Sequence, residues 1–480
     1  MKDVPDVNDT LGTEGIDAVR GRLDRALRFN GGTFEEPQLG EMRPPAYTDE
    51  ALALRFAEIH ANDLRYVAAW GRWLFFDGTR WRFDETLLAF DRARQICRQA
   101  AAACNANLAK VLASAKTVAA VERLAKSDRR LAATVDQWDA DPWELNTPLG
   151  MLDLRTGKLR AHRSDDYVTK MTGVAADASC ETPLWHKFLD RITGGDTELA
   201  AFLQRLTGYA LTGLTREHAM FFLYGTGANG KTTFLNTIIR CANDYHRTAP
   251  IETFTAAMGE RHPTDLAGLR GARLVTAVET EEGRRWAESR IKALTGGDRI
   301  AARFMRQDFF EFTPNFKLLI AGNHKPGLRT VDEAIRRRFN LIPFTITIPL
   351  AERDESLAEK LKPELAGILA WMVQGCLEWQ KHGLAPPQAV TSATQAYLEA
   401  EDAVAAWLDE CCVRDPKAWE RTAALFASWS TWAEKAGEYV GSQRRFVERL
   451  ECRGITPLRK RDGRGFAAIR LTSALWSSSP

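Results

Sequence analysis

A glycine-rich bend lies between two apolar runs in the middle of the chain, where residues 221–240 read FFLYGTGANGKTTFLNTIIR. Gly225, Gly230, Lys231 and Thr232 match the pattern G-x-x-x-x-G-K-S/T residue for residue. Between a strand and a helix, such a loop directs backbone N–H groups and the positive end of the helix dipole at one spot, which suits phosphate. The pattern predicts a nucleotide phosphate cradle made of Gly225, Thr226, Gly227, Ala228, Asn229, Gly230, Lys231, Thr232 and Thr233.

Polar residues at the ends of neighbouring apolar runs are candidates for hydrolytic chemistry. Lys231 would neutralise the β- and γ-phosphates, and Thr232 would offer its hydroxyl to magnesium. Hydrolysis also needs an acid that holds magnesium or polarises water, and the strand-like run ARLVTAVETEEG supplies Glu279. A second run, FKLLIAGN, ends in Asn323, where an amide could contact the γ-phosphate or the attacking water. We expect a nucleoside triphosphate and Mg²⁺, the metal being held by Thr232 and Glu279.

Three consecutive arginines, Arg336 to Arg338, precede another apolar strand in DEAIRRRFNLIPF. Consecutive arginines usually form a solvated face, but an arginine supplied from a neighbouring subunit to sense phosphate is the other common use. The spacing alone leaves both interpretations open.

Composition excludes several classes of protein. The chain has 480 residues, a formal net charge of +2 and eight scattered cysteines without a C-x-x-C pair, which indicates a reducing compartment and no structural metal. The first residues lack the basic segment and apolar core of a signal peptide, and no window approaches the roughly 20 apolar residues of a membrane span. We therefore expect a cytoplasmic protein with no membrane partner.

The elements that must position these residues follow from hydrophobic periodicity. From about Met220 to Ile348, short apolar strands alternate with helices, which predicts an α/β domain with a central parallel sheet. Thr48 is expected to cap a helix, Asp77-Gly78 to turn a hairpin, and Leu87 to Val135 to form a long helical stretch interrupted at Ser127 and Asp128. The expected division is a flexible leader, a mainly helical domain with small β hairpins, the α/β core, a helical lid or linker and a C-terminal domain, at residues 1–46, 47–190, 191–350, 351–400 and 401–480.

These motifs occur in an order and spacing that resemble superfamily 3 helicases. LNTPLGMLDLRTGKL, LRGARLVTAVETEEGRRW, IKALTGGDRIAARFMRQDFFEFTPNFKLLIAGNHKP and DEAIRRRFNLIPF are similar to the primase-helicase group of satellite phages, plasmids and poxviruses. The resemblance extends from about Ala46 to the C-terminus. It implies an AAA+ type P-loop ATPase that binds ATP at subunit interfaces of a ring, commonly a hexamer, with residues 47–190 as a collar.

The resemblance also implies roles for single residues. Lys231 and Thr232 belong to motif A, Glu279 to motif B and Asn323 to the sensor motif, while Arg338 is the first choice for the arginine finger and Arg337 the second. Many superfamily 3 members carry two adjacent acids at motif B; here Thr280 follows Glu279, so Glu281 ranks below Glu279. Lys292 matches a position that reaches the adjacent subunit's nucleotide.

A hairpin between motif B and the sensor grips single-stranded DNA in this superfamily. In DRIAARFMRQDFFEF the corresponding residues are Arg303, Phe304, Arg306 and Gln307. Basic side chains bind phosphates and an aromatic ring stacks on a base, which suits sequence-independent tracking along a strand. The alternative is an ordinary surface hairpin with solvated arginines.

The C-terminal region reads as a winged helix. Ser442 can cap a helix that Gly454 ends, and Asp462-Gly463 can turn a basic hairpin. A local excess of basic residues suits duplex DNA, whereas a protein-interaction module is the alternative. The candidate DNA contacts here are Arg444, Arg445, Arg459, Lys460 and Arg461.

Together these features favour an ATP-dependent replicative DNA helicase of a phage, prophage or plasmid, acting in a bacterial cytoplasm on single-stranded and forked DNA, with a separate primase or polymerase as a further partner. The alternatives are an ATP-controlled origin-binding initiator without processive unwinding and a bifunctional primase-helicase. About 140 residues precede LNTPLG, too few for a primase domain in addition to the collar, and we expect no primase activity.

Overall fold

The computed structural model describes residues 44–256, 264–279, 283–305, 308–328 and 331–472, without the side chains of Glu279 and Cys452. Four residues from the sequence predictions, Thr280, Glu281, Arg306 and Gln307, lie outside these ranges, as does the leader to residue 43. The described chain forms two compact units, residues 44–61 with 85–132, and residues 62–84 with 133–472. Within it, no helix is both long and apolar enough to cross a membrane.

The first unit is helical. Its helices are α1 (Asp49–His60), α2 (Leu88–Ala102), α3 (Ala106–Leu112) and α4 (Ala115–Ala125). The predicted cap at Thr48 is confirmed, since its Oγ1 accepts a hydrogen bond from the Ala51 N–H at 3.2 Å. The predicted helical stretch from Leu87 to Val135 is confirmed as far as Ala125, but Asn105 and Ser114 cap separate helices and divide it into three, and within the described residues no α-helix follows Ser127 and Asp128 before Val135.

The second unit begins with two antiparallel β elements. The strands are β1 (Leu64–Val67), β2 (Arg72–Phe76) and β3 (Trp81–Phe83), then the two-residue β4 (Ala132–Ala133), then β5 (Glu144–Thr147), β6 (Gly150–Asp153) and β7 (Lys158–Arg160). The predicted hairpin around Asp77-Gly78 is confirmed, with Phe76 paired opposite Trp81.

A five-stranded parallel sheet forms the α/β core and confirms the predicted fold class at that level. Its strands are β8 (Met220–Tyr224), β9 (His246–Thr248), β10 (Leu274–Glu279), β13 (Lys317–Gly322) and β14 (Phe339–Pro343), in the order β14-β8-β13-β10-β9; β11 (Ile300–Ala302) and β12 (Phe310–Phe312) form a separate antiparallel pair. The helices of this region are α5 (Pro183–Thr193), α6 (Thr197–Leu211), α7 (Lys231–Ala242), α8 (Thr264–Ala267), α9 (Glu288–Gly296) and α10 (Glu333–Arg336).

Strand β8 is buried on both faces of the sheet. Phe221 and Leu223 pack into one hydrophobic cluster, whereas Met220 and Phe222 pack into the other. A parallel strand that is covered on both sides reads as an almost continuous apolar run, and MFFLY has that form. This double burial holds the start of the phosphate loop rigidly.

The C-terminal part continues through α11 (Leu357–Lys360), α12 (Leu365–His382) and α13 (Gln388–Ala400). It ends in the order helix, strand, helix, helix, strand, strand: α14 (Ala403–Cys411), β15 (Cys412–Arg421), α15 (Thr422–Ala436), α16 (Gln443–Cys452), β16 (Pro457–Lys460) and β17 (Gly463–Leu471). The predicted cap at Ser442 and the terminal hairpin are confirmed. Lys460 pairs with Gly463, so the turn residues are Arg461 and Asp462.

We expect the stability of the fold to depend on pH through His246, which lies on the edge strand β9. Its Nε2 lies 2.8 Å from Thr276 Oγ1, and burial, together with the charge of Arg247, lowers the pKa of His246 to about 4. The unfolded chain binds a proton on this residue near pH 6.5 and the folded chain does not. Stability should therefore fall as the pH drops from about 6.5 to 4, with His246 accounting for about 2 kcal/mol after allowance for solvent screening.

Urea unfolding at pH 7 and pH 4.5 would measure this contribution. His246→Gln keeps a polar side chain beside Thr276 but cannot titrate, so its free energy of unfolding should fall less over the same interval. Equal losses in the two proteins would contradict the assignment to His246.

Candidate nucleotide-binding site

The register of the sheet brings three strand ends to one edge. Tyr224 of β8 pairs with Gly322 of β13, and Gly322 pairs with Glu279 of β10. The next residues along the chain are Gly225, which opens the glycine-rich loop, and Asn323. Because β8 lies between the last and the penultimate strand of the domain, this edge is also where the strand order reverses, the usual ligand crevice of open α/β sheets.

The loop between β8 and α7 has a backbone that favours glycine. Gly227, Ala228 and Gly230 all have positive φ, at +106°, +49° and +83°. A Cβ on Gly225 would lie 2.1 Å from the Phe344 carbonyl oxygen, so this position cannot carry a side chain without movement of the backbone. Successive residues in these conformations turn backbone N–H groups toward one concavity, which is the geometry that binds anions.

The segment that follows β14 forms hydrogen bonds with the glycine-rich loop. The Ile348 N–H donates to the Ala228 carbonyl at 2.8 Å, and Asn229 Nδ2 donates to the Phe344 carbonyl at 2.8 Å. Asn229 is 3% exposed, so the loop is held by a buried amide as well as by backbone bonds. The cradle is thus fixed to the segment that follows β14.

Lys231 is the cation of this site. Its side chain is 6% exposed, and Nζ donates to the Gly225 carbonyl at 2.6 Å, to Asn229 Oδ1 at 3.0 Å and to Asn323 Oδ1 at 3.1 Å. All three acceptors are neutral oxygens, and burial lowers the pKa of the Lys231 ammonium. A phosphate in the cradle would supply the negative charge that favours this ammonium. The structure brings Lys231 and Asn323 together.

The chemistry of the donor set at the loop fits magnesium. Thr232 is exposed in the first turn of α7, directly after Lys231. In the part of the chain that the structure describes, no group of three or more His, Cys, Asp or Glu could form an all-protein metal cage. Magnesium bound to a nucleotide needs only one or two protein ligands besides phosphates and water. The backbone of Glu279 reaches the same edge, and its role as second ligand stays a prediction.

A groove of about 610 Å³ opens beside the loop, and the sequence predictions did not include it. It borders Gly230 and Thr233, and its apolar walls come from α5 and from residues 348–357. A Cβ on Gly230 would lie 2.5 Å from Ile192 Cγ2, which shows how closely α5 packs on the loop. A groove with both apolar and charged lining next to a phosphate cradle is suited to a nucleobase. Its apolar lining residues are Leu184, Phe188, Ile348 and Leu357.

The three consecutive arginines have different surroundings. Arg336 Nη2 pairs with Asp402 Oδ2 at 3.3 Å. Arg338 is 7% exposed, its Nε donates to Thr295 Oγ1 at 3.1 Å, and burial is the main reason that its pKa is lowered. Arg337 is exposed. Of the two candidates for an interface arginine, Arg337, the second choice from the sequence, is the exposed one, and the choice between Arg337 and Arg338 stays a prediction.

Asp332 lies just ahead of the arginine segment, residues 336–338, and makes contacts on two sides. Asp332 caps α10, since its Oδ1 accepts from the Ile335 N–H at 2.8 Å. The same carboxylate accepts from Lys292 Nζ at 2.5 Å. Lys292 is therefore engaged within its own chain, and its predicted reach to another subunit's nucleotide stays a prediction.

Exposed apolar side chains lie on the described residues between β11 and β12. The guanidinium of Arg303 lies 4.7 Å from the centre of the Phe309 ring, and the rings of Phe304 and Phe310 stack at 5.7 Å. Phe304, Met305 and Phe309 are 41%, 70% and 61% exposed. Met305 and Phe309 were not among the predicted contacts, although their place between the two strands in the sequence was a usable signal.

The basic residues near the C-terminus separate into two groups. Arg444 and Arg445 on α16 are both exposed; Arg444 pairs with Glu448 at 3.1 Å, and Arg445 borders a cavity of about 550 Å³ that is also lined by residues of α9 and by Val331 and Asp332 ahead of α10. In the terminal hairpin Arg459, Lys460 and Arg461 are exposed, and Lys460 Nζ lies 5.2 Å from the centre of the Trp419 ring. The hairpin thus presents its predicted basic residues to solvent, and the helix presents Arg444 and Arg445.

Two family models match the chain, one described as D5 N terminal like over residues 53–194 and one as a family of unknown function (DUF5906) over residues 223–338. The chain is similar to "Putative helicase L207/L206" of Acanthamoeba polyphaga mimivirus, with 26% identity over 288 residues, which are 55% of this chain and 30% of that protein. It is also similar to "Putative helicase 022R" of Frog virus 3 (isolate Goorha), with 26% identity over 45% of this chain and 24% of that protein. The chain thus spans less than a third of the length of these relatives.

Among solved structures, the apo structure of the NrS-1 C terminal region (residues 305–718) aligns with a TM-score of 0.50 at 11% identity. The alignment covers 88% of this chain and 99% of that one. At this identity the likeness shows a shared fold.

Proposed function

Because the chain belongs to the superfamily 3 helicases of the primase-helicase family, we propose that it is an ATP-dependent replicative DNA helicase of a phage, prophage or plasmid. Its subunits would form an AAA+ ring, a hexamer, around one DNA strand in the bacterial cytoplasm. The observation that carries this proposal is the register of the parallel sheet. It places the end of β10 beside the ends of β8 and β13, after which the glycine-rich loop and Asn323 follow. This edge has a cradle, a buried ammonium and a polar amide together.

Each residue at the edge has a distinct task in γ-phosphate hydrolysis. Backbone N–H groups of the loop hold the phosphates, and Lys231 stabilises the negative charge that develops as the bond to the leaving oxygen breaks. Asn323 orients Lys231 through their 3.1 Å hydrogen bond and offers its amide toward the γ-phosphate or the attacking water. Glu279 activates or orients that water. Magnesium, held by Thr232 and Glu279, would supply further neutralisation of phosphate charge when bound.

The site becomes complete at an interface between subunits. Arg337, exposed at the end of α10, would reach the γ-phosphate bound by the neighbouring subunit and stabilise charge in the transition state. Hydrolysis is then coupled to ring assembly, because an isolated subunit lacks that guanidinium. The 610 Å³ groove beside the loop would hold the base of the nucleotide.

The β11–β12 hairpin would convert hydrolysis into movement along single-stranded DNA. Its exposed rings can stack on bases, and Arg303 can bind the phosphate backbone, contacts that do not depend on sequence. Arg444 and the terminal hairpin would contact duplex DNA ahead of the fork, in a winged-helix-like domain. The proposed partners are single-stranded and forked DNA, further copies of the chain and a separate primase or polymerase.

Replacing both Arg303 and Phe304 by alanine is expected to reduce strand displacement on a forked substrate by at least about ten-fold, since stacking and backbone contacts are lost together. Basal ATP hydrolysis should remain within about two-fold, because the hairpin lies outside the phosphate cradle. Arg299→Ala is the matched control: Arg299 precedes β11, its side chain is 77% exposed, and it lies at the base of the hairpin.

Full unwinding by the double variant would refute the assignment of the hairpin. DNA-stimulated hydrolysis without any strand displacement by the unaltered protein would favour an ATP-controlled origin-binding initiator. Primer synthesis from ribonucleotides on a bare template would identify a bifunctional primase-helicase.

A further inference from the structure

Two consecutive acids, Glu401 and Asp402, lie where the chain passes from α13 into α14. Asp402 is 7% exposed, and its Oδ1 accepts from the Ala405 N–H at 3.2 Å, which caps α14. A single capping bond accounts for only part of the hydrogen-bonding capacity of a buried carboxylate. The remaining capacity is used by two arginines.

Arg336 and Arg453 reach Asp402 from different parts of the fold. Arg336 comes from the arginine segment of the ATPase core and pairs with Oδ2 at 3.3 Å, and Arg453 follows α16 and pairs with Oδ1. Their side chains are 38% and 22% exposed, so Asp402 is the most deeply buried member of this group. One carboxylate therefore joins the ATPase core to the C-terminal domain.

Glu401 contacts the chain ahead of α10. Its Oε2 accepts from the Leu328 N–H at 2.7 Å, before the four-residue helix α10 begins. A helix of one turn has little stability of its own, so its orientation depends on such tertiary contacts. Arg337, exposed, follows directly after Arg336 in the sequence.

We propose that Asp402 is a positioning residue for the interface arginine. Asp402 binds Arg336 on one side and Arg453 on the other. It thereby fixes the orientation of the Arg337 side chain, and that orientation depends on the position of the C-terminal domain. The inference rests on the proposed function, since it takes Arg337 as the residue that acts on the neighbouring subunit's nucleotide. Asp402 itself touches no substrate.

The test compares Asp402→Asn and Arg336→Gln with Asp409→Asn, which removes the same charge from an exposed position of α14. Both test variants should lower kcat for ATP hydrolysis about ten- to a hundred-fold and leave KM within about two-fold, because misplacement of a catalytic group affects turnover more than binding. The control should retain kcat. Arg336→Gln serves as the second variant because Arg336 is partly exposed and the glutamine amide keeps an N–H donor on the side of Asp402.

Mixing distinguishes positioning from general damage. Lys231→Ala subunits cannot hydrolyse ATP but carry an intact arginine segment, so mixed rings with Asp402→Asn should regain hydrolysis at those interfaces where the two meet. Loss of kcat that mixing does not restore would mean that Asp402 acts on its own subunit's site, which overturns the inference. Normal kcat in both test variants would also overturn it if Arg337→Ala is inactive. If Arg337→Ala itself turns over normally, the interface arginine of the proposed function fails, and the inference fails with it.

Discussion

Lys231→Ala is expected to abolish ATP hydrolysis, with a loss of at least about a thousand-fold in kcat, or about 4 kcal/mol of transition-state stabilisation. Lys231 is 6% exposed, and its ammonium is held among three neutral oxygens at 2.6–3.1 Å. In this water-poor setting a fixed positive charge acts strongly on developing phosphate charge. Alanine leaves the loop backbone in place and removes the charge together with its three hydrogen bonds.

The loss should occur without unfolding. Lys231 donates to the loop and to Asn323, but the loop is also held by the Ile348–Ala228 and Asn229–Phe344 hydrogen bonds. Thermal unfolding should therefore shift by only a few degrees, whereas colorimetric phosphate release falls to background. Lys381→Ala, on the exposed face of α12, is the matched control and should hydrolyse ATP normally. A Lys231→Ala protein with full ATPase would refute the phosphate-loop assignment.

The phosphate loop and the sheet could be predicted because their signals are local. MFFLY is apolar along its whole length since both faces of β8 are buried, and the loop glycines follow from positive φ and from the carbonyl of Phe344 close to Gly225. Asn323 could be selected as a strand-end residue. Its hydrogen bond to Lys231 depends on β13 lying beside β8, an adjacency that only the strand order shows.

The rest depended on contacts between segments that are distant in sequence. Nothing in α5 indicates that Ile192 packs on Gly230 and forms one side of a groove. Asp402 likewise lies 66 positions from Arg336, and its spacing does not predict the pair. Helix breaks were also missed where Asn105 and Ser114 follow alanine-rich runs, because alanine favours continuation while the caps terminate it.

The three consecutive arginines show most clearly what the sequence could not predict. Three identical neighbouring residues have no hydrophobic periodicity that would show which of them is buried. Only tertiary contacts distinguish the three residues. Arg336 pairs with Asp402, Arg338 is buried and donates to Thr295, and Arg337 is exposed. The difference leads to opposite expectations for two neighbouring alanine substitutions. One should alter catalysis alone, and the other should alter stability first.

Arg337→Ala is expected to lower kcat by about a thousand-fold or more, which is the usual effect of losing an arginine that acts on the transferred phosphoryl group from a neighbouring subunit. Binding of a fluorescent ATP analogue and the thermal midpoint should be unchanged, since Arg337 is exposed and contributes no buried contact to the phosphate cradle. Mixing with Lys231→Ala subunits should restore hydrolysis, because each Arg337→Ala site can then receive the missing guanidinium from its neighbour.

Arg338→Ala is the natural comparison. It removes a 7% exposed guanidinium and its bonds to Thr295 and the Ala334 carbonyl, which should cost about 1–3 kcal/mol of unfolding free energy, measured by urea denaturation. Any loss of kcat should then follow the loss of folded protein. If Arg338→Ala instead abolishes turnover at unchanged stability while Arg337→Ala remains active, the interface role returns to Arg338, and its side chain must leave the Thr295 contact when subunits assemble.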